Sequence, residues 1–184
     1  MHSKVDMTLP KFTYHPDPIA TGSLVASEDT CICCGQARGF IYKGPAYAVE
    51  ELVDCICPWC IADGSAHRKF DAEFTDLAGI GGNGEWDKVT DQIRDEVAHR
   101  TPGFSGWQQE MWWTHCGDAA EFLGPMGYEQ ASAYGSELLE AFNCGYDDPF
   151  RTEYLKSLNR DHGPTGYAFR CRHCGALGGY SDCH

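Results

Sequence analysis

A chain of 184 residues is long enough for one domain or two small lobes, and a hydrophobic share of 42% with 12% aromatics supports a modest core. Its 27 acidic and 14 basic residues leave a net charge of −13, which repels phosphate backbones and anionic lipid surfaces and so disfavours nucleic-acid binding. Residues 1–6 lack the apolar run of a secretory leader, and no apolar stretch approaches the roughly 18 residues of a spanning helix; the expected setting is cytoplasmic, without membrane insertion. In a reducing cytosol, eleven cysteines point to metal ligation before disulfides.

Taken in chain order, Pro10, Pro16 and Pro18 rule out a helix and predict an extended arm, with Phe12 and Tyr14 alternating as in an edge strand. Cys31-x-x-Cys34-Gly35 reads as a metal knuckle whose glycine supplies positive φ. Residues 39–44 read as a short strand ended by Gly44-Pro45. Cys57-Pro58-Trp59-Cys60 follows and leads into a helix capped by Asp63 or Ser65, with Ala66, Phe70 and Phe74 on one face. Asp63, His67 and Asp71 would share another face of that helix, read as a solvated face in preference to an acid/base set.

Four glycines within residues 79–84 mark the most flexible stretch and a subdomain boundary. Trp86, Val89, Ile93 and Val97 then recur at helical spacing until Thr101-Pro102-Gly103 stops the pattern. Trp107, Trp112 and Trp113 are read as packing residues around small metal lobes. Asp118 is expected to cap a short helix through Ala119, Ala120, Phe122 and Leu123, and helical patterns resume over 128–142 and 150–159. The chain ends in a hairpin, with strands near residues 167–170 and 177–180 flanking the knuckle Cys171-Arg172-His173-Cys174-Gly175. The fold class is α+β, small zinc-knuckle or ribbon β elements around a helical middle. Residues 1–78 are expected to form the arm and first zinc lobe, and residues 79–184 the helical region with the C-terminal knuckle.

Cys31, Cys34, Cys57 and Cys60 have the spacing of a tetrahedral thiolate site, with 22 residues (35–56) between the two pairs. Four thiolates suit zinc and iron alike, and zinc is the expected ion. The rival reading of Cys57-Pro58-Trp59-Cys60 is a dithiol at a helix N-terminus, but no βαβ pattern precedes it. Cys171 and Cys174 form a second half-site, whose partners must come from His115, Cys116, Cys144, His162, His173, Cys183 or His184. An extended return strand carries Cys183 and His184 away, which favours His115 and Cys116, with Cys116 the better ligand of the two. Cys33 and Cys55 read as spectators beside the first site.

The run Leu9-Pro10-Lys11-Phe12 with Tyr14-His15-Pro16-Asp17-Pro18, the block Cys57-Pro58-Trp59-Cys60-Ile61-Ala62-Asp63-Gly64-Ser65-Ala66, Arg100-Thr101-Pro102-Gly103-Phe104, His115-Cys116 and Cys171-Arg172-His173-Cys174-Gly175 together resemble the CbrC family of small bacterial proteins. The resemblance spans almost the whole chain. It implies no defined molecular activity, and it implies an association with tolerance to an E-type colicin. The function expected from these readings is a zinc-binding cytosolic protein whose metals are structural and whose partner is another protein. The alternative is a thiol-redox or zinc-dependent enzyme.

Overall fold

The computed structural model describes residues 8–183, a mixed α+β fold with six α-helices and three small antiparallel sheets among the described residues. No helix among them is long and apolar enough to cross a membrane. The first sheet pairs β1 (Leu24–Ala26) with β2 (Phe40–Tyr42), the strand expected before Gly44-Pro45. Two short helices follow, α1 (Pro58–Ala62) and α2 (Ser65–Phe70). Pro58 suits the first turn of α1, where its missing N–H would have had no partner.

Helix α2 is shorter than the spacing predicts. It stops at Asp71, which adopts a left-handed φ of 50°, so Phe74 is buried from an irregular segment beyond the helix. Neither Asp63 nor Ser65 is the N-cap of α2: that position is Gly64, left-handed at φ 72° and with no side-chain cap, while Asp63 closes α1 and its carboxylate accepts the Ser65 N–H at 2.8 Å. Asp63, His67 and Asp71 therefore share no helix face, and His67 instead stacks on His99 with ring centroids 3.7 Å apart.

The glycine-rich segment 79–84 is pinned by its neighbours. Gly79 and Gly82 are buried, Gly81 N–H donates to Trp112 O, and Trp112 N–H donates to Gly79 O. Helix α3 (Asp91–Arg100) starts only after Thr90, whose hydroxyl accepts the Ile93 N–H, so Trp86 and Val89 belong to its non-helical approach. Acidic Asp91 at its start and His99 and Arg100 at its end match the helix dipole.

β3 (Thr114–His115) and β4 (Asp118–Ala119) make a minimal hairpin, and β5 (Glu121–Met126) runs on from it. The expected short helix after Asp118 is thus a strand. Residues 121–126 alternate half-buried and buried, a period of two that only a strand presents to a core. Pro125 is tolerated because β5 is an edge strand of the sheet β5-β6-β7. The helical pattern 128–142 splits at Gly135, with φ 113° and ψ 175°, into α4 (Tyr128–Tyr134) and α5 (Ser136–Ala141); α6 (Phe150–Ser157) follows. The terminal hairpin forms as expected, from β6 (Thr165–Arg170) and β7 (Leu177–Asp182) in continuous register.

Three apolar clusters form among the described residues. One gathers Phe12, Leu24, Ile41, Tyr42, Ile56, Ile61 and Phe74 around the first cysteine group. A central aromatic cluster holds Tyr14, Phe104, Trp112, Trp113, Phe122, Tyr167 and Phe169, so Trp112 and Trp113 are core residues as expected, while Trp107 is half exposed. The third packs α4, α5 and α6 on the far face of the sheet, with Leu138, Phe142 and Leu158 over Ala168. Phe12 and Tyr14 form no strand; they plug the arm into two different clusters. The arm is locked by His15, which donates from Nδ1 to Pro102 O at 2.7 Å and accepts at Nε2 from the Thr21 hydroxyl at 2.7 Å. Further ties between the clusters run from Gly103 N–H to the Tyr42 hydroxyl and from the Tyr47 hydroxyl to Glu110.

Candidate metal centres

Two knuckles of the same construction carry five of the eleven cysteines. In the first, Gly35 N–H donates to Cys31 O and Cys31 N–H to Gln36 O; in the second, Gly175 N–H donates to Cys171 O and Cys171 N–H to Ala176 O. Gly35 and Gly175 have φ of 69° and 77°, the left-handed conformation expected after the second cysteine of each pair.

At the first centre the Sγ atoms of Cys31, Cys34, Cys57 and Cys60 all lie within 4.8 Å of one another. Sulfur separations are 3.9 Å for Cys31–Cys60, 3.9 Å for Cys34–Cys57 and 3.6 Å for Cys57–Cys60. A tetrahedron with metal–sulfur bonds of about 2.3 Å places its corners about 3.8 Å apart, whereas a disulfide needs about 2 Å. The spacing therefore matches a shared cation. Cys31, Cys57 and Cys60 are buried. Without a cation, hydrogen bonds from the Cys57 and Cys60 thiols hold the Cys31 thiol far below its ordinary range, and donation to Cys31 pushes Cys57 up to about 12. Cys57 and Cys60, held above their ordinary range, thus keep protons that a divalent cation displaces. The surroundings favour the resulting negative charge. Cys57 N–H donates to Cys31 Sγ at 3.2 Å, and Lys69 Nζ donates to the Ile32 and Cys33 carbonyls of the knuckle.

The second centre gathers His115, Cys116, Cys171 and Cys174, again within 4.8 Å. Cys116 and Cys174 sulfurs are 3.8 Å apart, and His115 Nδ1 lies 3.4 Å from Cys116 Sγ and 3.5 Å from Cys174 Sγ. Bonds of about 2.3 Å to sulfur and about 2.0 Å to nitrogen predict N···S separations of about 3.5 Å. Two adjacent residues reach one point because Cys116 and Gly117 both take positive φ, 55° and 70°, in the β3–β4 turn. Burial raises the Cys171 thiol, but hydrogen bonds from the Cys174 backbone, the His115 side chain and the His173 backbone outweigh it and bring the group to about 6. Unlike the first centre this one is open: Cys116 and Cys174 are exposed.

Beside it lies a network that spacing alone does not disclose. Asp118 Oδ2 accepts from Arg172 at 2.8 Å and from His173 Nε2 at 2.9 Å, while Oδ1 accepts from the Tyr14 hydroxyl at 3.0 Å. Burial pushes the Asp118 carboxyl up, yet these donors and the Arg172 charge prevail and hold it below the usual carboxylate range. The only hints were the proximity of Asp118 to Cys116 and of Arg172 and His173 to the knuckle cysteines. His173 thus faces Asp118, outside the ligand group. Tyr14, Glu96, Cys116, Asp118 and His173 line a cleft of about 460 Å³.

The other candidate partners lie elsewhere. Cys144 contacts the Tyr154 and Ser181 hydroxyls, Cys183 is exposed beyond β7, and the His162 backbone caps onto Asn159; His184 lies outside the described residues. Cys33 points to the Ser65 hydroxyl, and Cys55 sits beside the first centre without joining it.

A small α+β scaffold carrying two cysteine-rich groups able to hold cations is the class of protein these features define. The chain belongs to an uncharacterised protein family, UPF0167, which it matches over residues 9–183. It is 48% identical over 181 residues to UPF0167 protein Mb2317 of Mycobacterium bovis, covering 95% of this chain and 93% of that one. UPF0167 protein MT2352 of Mycobacterium tuberculosis gives the same figures, 48% over 181 residues with 95% and 93% coverage. UPF0167 protein PA1536 of Pseudomonas aeruginosa is 42% identical over 170 residues, covering 91% and 93% of the two chains. No solved structure matches the chain.

Proposed function

We propose that this protein is a cytoplasmic interaction protein organised by two zinc ions, the first closed and structural, the second at the surface that meets a protein partner. The observation that carries the reading is the largely buried first tetrad, whose four sulfurs lie within 4.8 Å of one another, three of the pairs at 3.6 to 3.9 Å. Four protein ligands leave no position for substrate or water, so a closed site of this kind contributes to folding. The acidic surface argues for a protein partner over nucleic acid. The resemblance to the CbrC family supplies toxin tolerance as the physiological setting within this proposal. Near-ultraviolet circular dichroism before and after treatment with a strong chelator tests it: loss of the signal, restored by added zinc, is expected, and a metal-free chain that keeps its cooperative melt overturns it.

A second reading, zinc-dependent catalysis, is favoured by one feature. The cleft beside Cys116 brings Asp118, His173 and Tyr14 to the exposed face of the second centre. A cobalt-substituted chain titrated with acetohydroxamate separates the two. A changed d–d spectrum supports an open coordination position, and an unchanged one supports closed structural sites. Dithiol redox chemistry at Cys57–Cys60 is disfavoured because both residues are buried and share their sulfurs with Cys31 and Cys34.

A further inference from the structure

Residues between Ala78 and Arg94 line an open cavity of about 330 Å³ that neither metal reading uses. Its wall includes Gly81, Asn83 and Gly84 of a turn in which four consecutive residues are left-handed, with φ of 86°, 55°, 57° and 91° for Gly81, Gly82, Asn83 and Gly84. Glycine and asparagine are the residues that tolerate this backbone. The N–H groups of Gly84, Glu85 and Trp86 return to the Gly81 and Gly82 carbonyls, and that of Gly81 goes to Trp112 O. The N–H groups of Gly82 and Asn83 are left without a backbone carbonyl among the described residues. Of these two residues Asn83 belongs to the cavity wall, and turns with free backbone amides make concavities suited to anions.

Two of the three charged side chains in the wall are cationic. Arg94 and Lys88 both line the cavity, and neither forms an ion pair among the described residues, although the chain carries 27 acids. Arg94 is held by one bond, Nη2 to Leu77 O at 2.8 Å, and its Nε is buried with no acceptor. Asp87, the acid in the lining, is engaged by the Gly117 N–H at 3.2 Å, and its carbonyl by the Thr114 hydroxyl. The rest of the wall is apolar, with the Trp86 ring packed over Gly82 and Ile80 and Val89 beside it. We propose that this cavity binds a small aromatic anion, its charge on Arg94 and Lys88 and its ring against Trp86.

Isothermal titration of the full chain with 1-naphthyl phosphate, 1-naphthoate and neutral 1-naphthol tests the proposal, zinc content being measured alongside. One-to-one binding of at least one anion is expected, with naphthol silent, and the preferred anion identifies a phosphate or a carboxylate ligand. Arg94→Gln and Lys88→Glu are each expected to weaken binding about tenfold or more, the scale of a charge-assisted contact. Lys88 is exposed, so Lys88→Glu decides the matter should Arg94→Gln fail to fold. Absence of millimolar binding, equal binding of naphthol, or affinity unchanged in a folded Lys88→Glu chain overturns the proposal.

Discussion

His15 has no exposed surface and lies between Pro102 O and the Thr21 hydroxyl, edge-on to Phe122. Burial lowers its pKa from the ordinary 6.5 to about 4, against the opposing pull of the Pro102 carbonyl and Asp17. Between those values the unfolded chain takes up the proton more readily than the folded one. The stability this difference confers is complete above pH 6.5 and is lost as the pH falls to about 4, roughly 3 kcal/mol in all. Urea melts of the native chain and His15→Gln near pH 7 and near pH 4 measure it. The native chain should lose more on acidification than the variant by about that amount; equal losses would contradict the assignment. Cys116 makes a second prediction at this scale. Cys116→Ser should lower bound metal from two ions per chain to about one while the first centre and the fold persist, as read by metal analysis and circular dichroism. The sequence alone offered seven candidates for the partners of Cys171 and Cys174 and favoured His115 and Cys116. What lets these two adjacent residues reach one point is the left-handed φ at Cys116 and the pairing of β3 with β4, which local spacing does not encode.

Both knuckles were legible because their chemistry is local: a Cys-x-x-Cys-Gly run specifies its own turn and its own positive φ. Strand β5 was not, because Ala119, Ala120, Phe122 and Leu123 also fit a helical face and only pairing with β6 decides between the periods. Helix α2 ended early for a similar reason: the Asp71 N–H closes onto His67 O and the chain turns away before Phe74. Two glycine substitutions separate local strain from packing. A Cβ on Gly175 meets nothing within 4 Å, so Gly175→Ala incurs only the cost of φ 77°, about 1 kcal/mol. A Cβ on Gly103 falls 1.8 Å from Phe74 O, so Gly103→Ala must move backbone and should cost about 3 kcal/mol or more. Denaturant midpoints of the two variants should fall in that order, and a larger loss for Gly175→Ala would contradict it.

Across the whole molecule, the first centre lies within one apolar cluster and the second joins the β3–β4 turn to the β6–β7 hairpin, closing the chain between Cys116 and Cys171. The arm and the Tyr42–Gly103, Tyr47–Glu110 and His15–Pro102 bonds then hold the clusters together. The α+β class and the first tetrad were readable from spacing and charge; the central aromatic cluster was not, since its members are scattered from Tyr14 to Tyr180. In this account the first centre is what allows an acidic chain with a modest core to keep one fold. The most direct test is zinc K-edge X-ray absorption on the purified full-length protein, combined with its metal content. Two zinc ions per chain are predicted, with an average shell of three to four sulfurs at about 2.3 Å and a minor nitrogen contribution. Less than one zinc per chain, or a shell made mainly of oxygen and nitrogen, would contradict it.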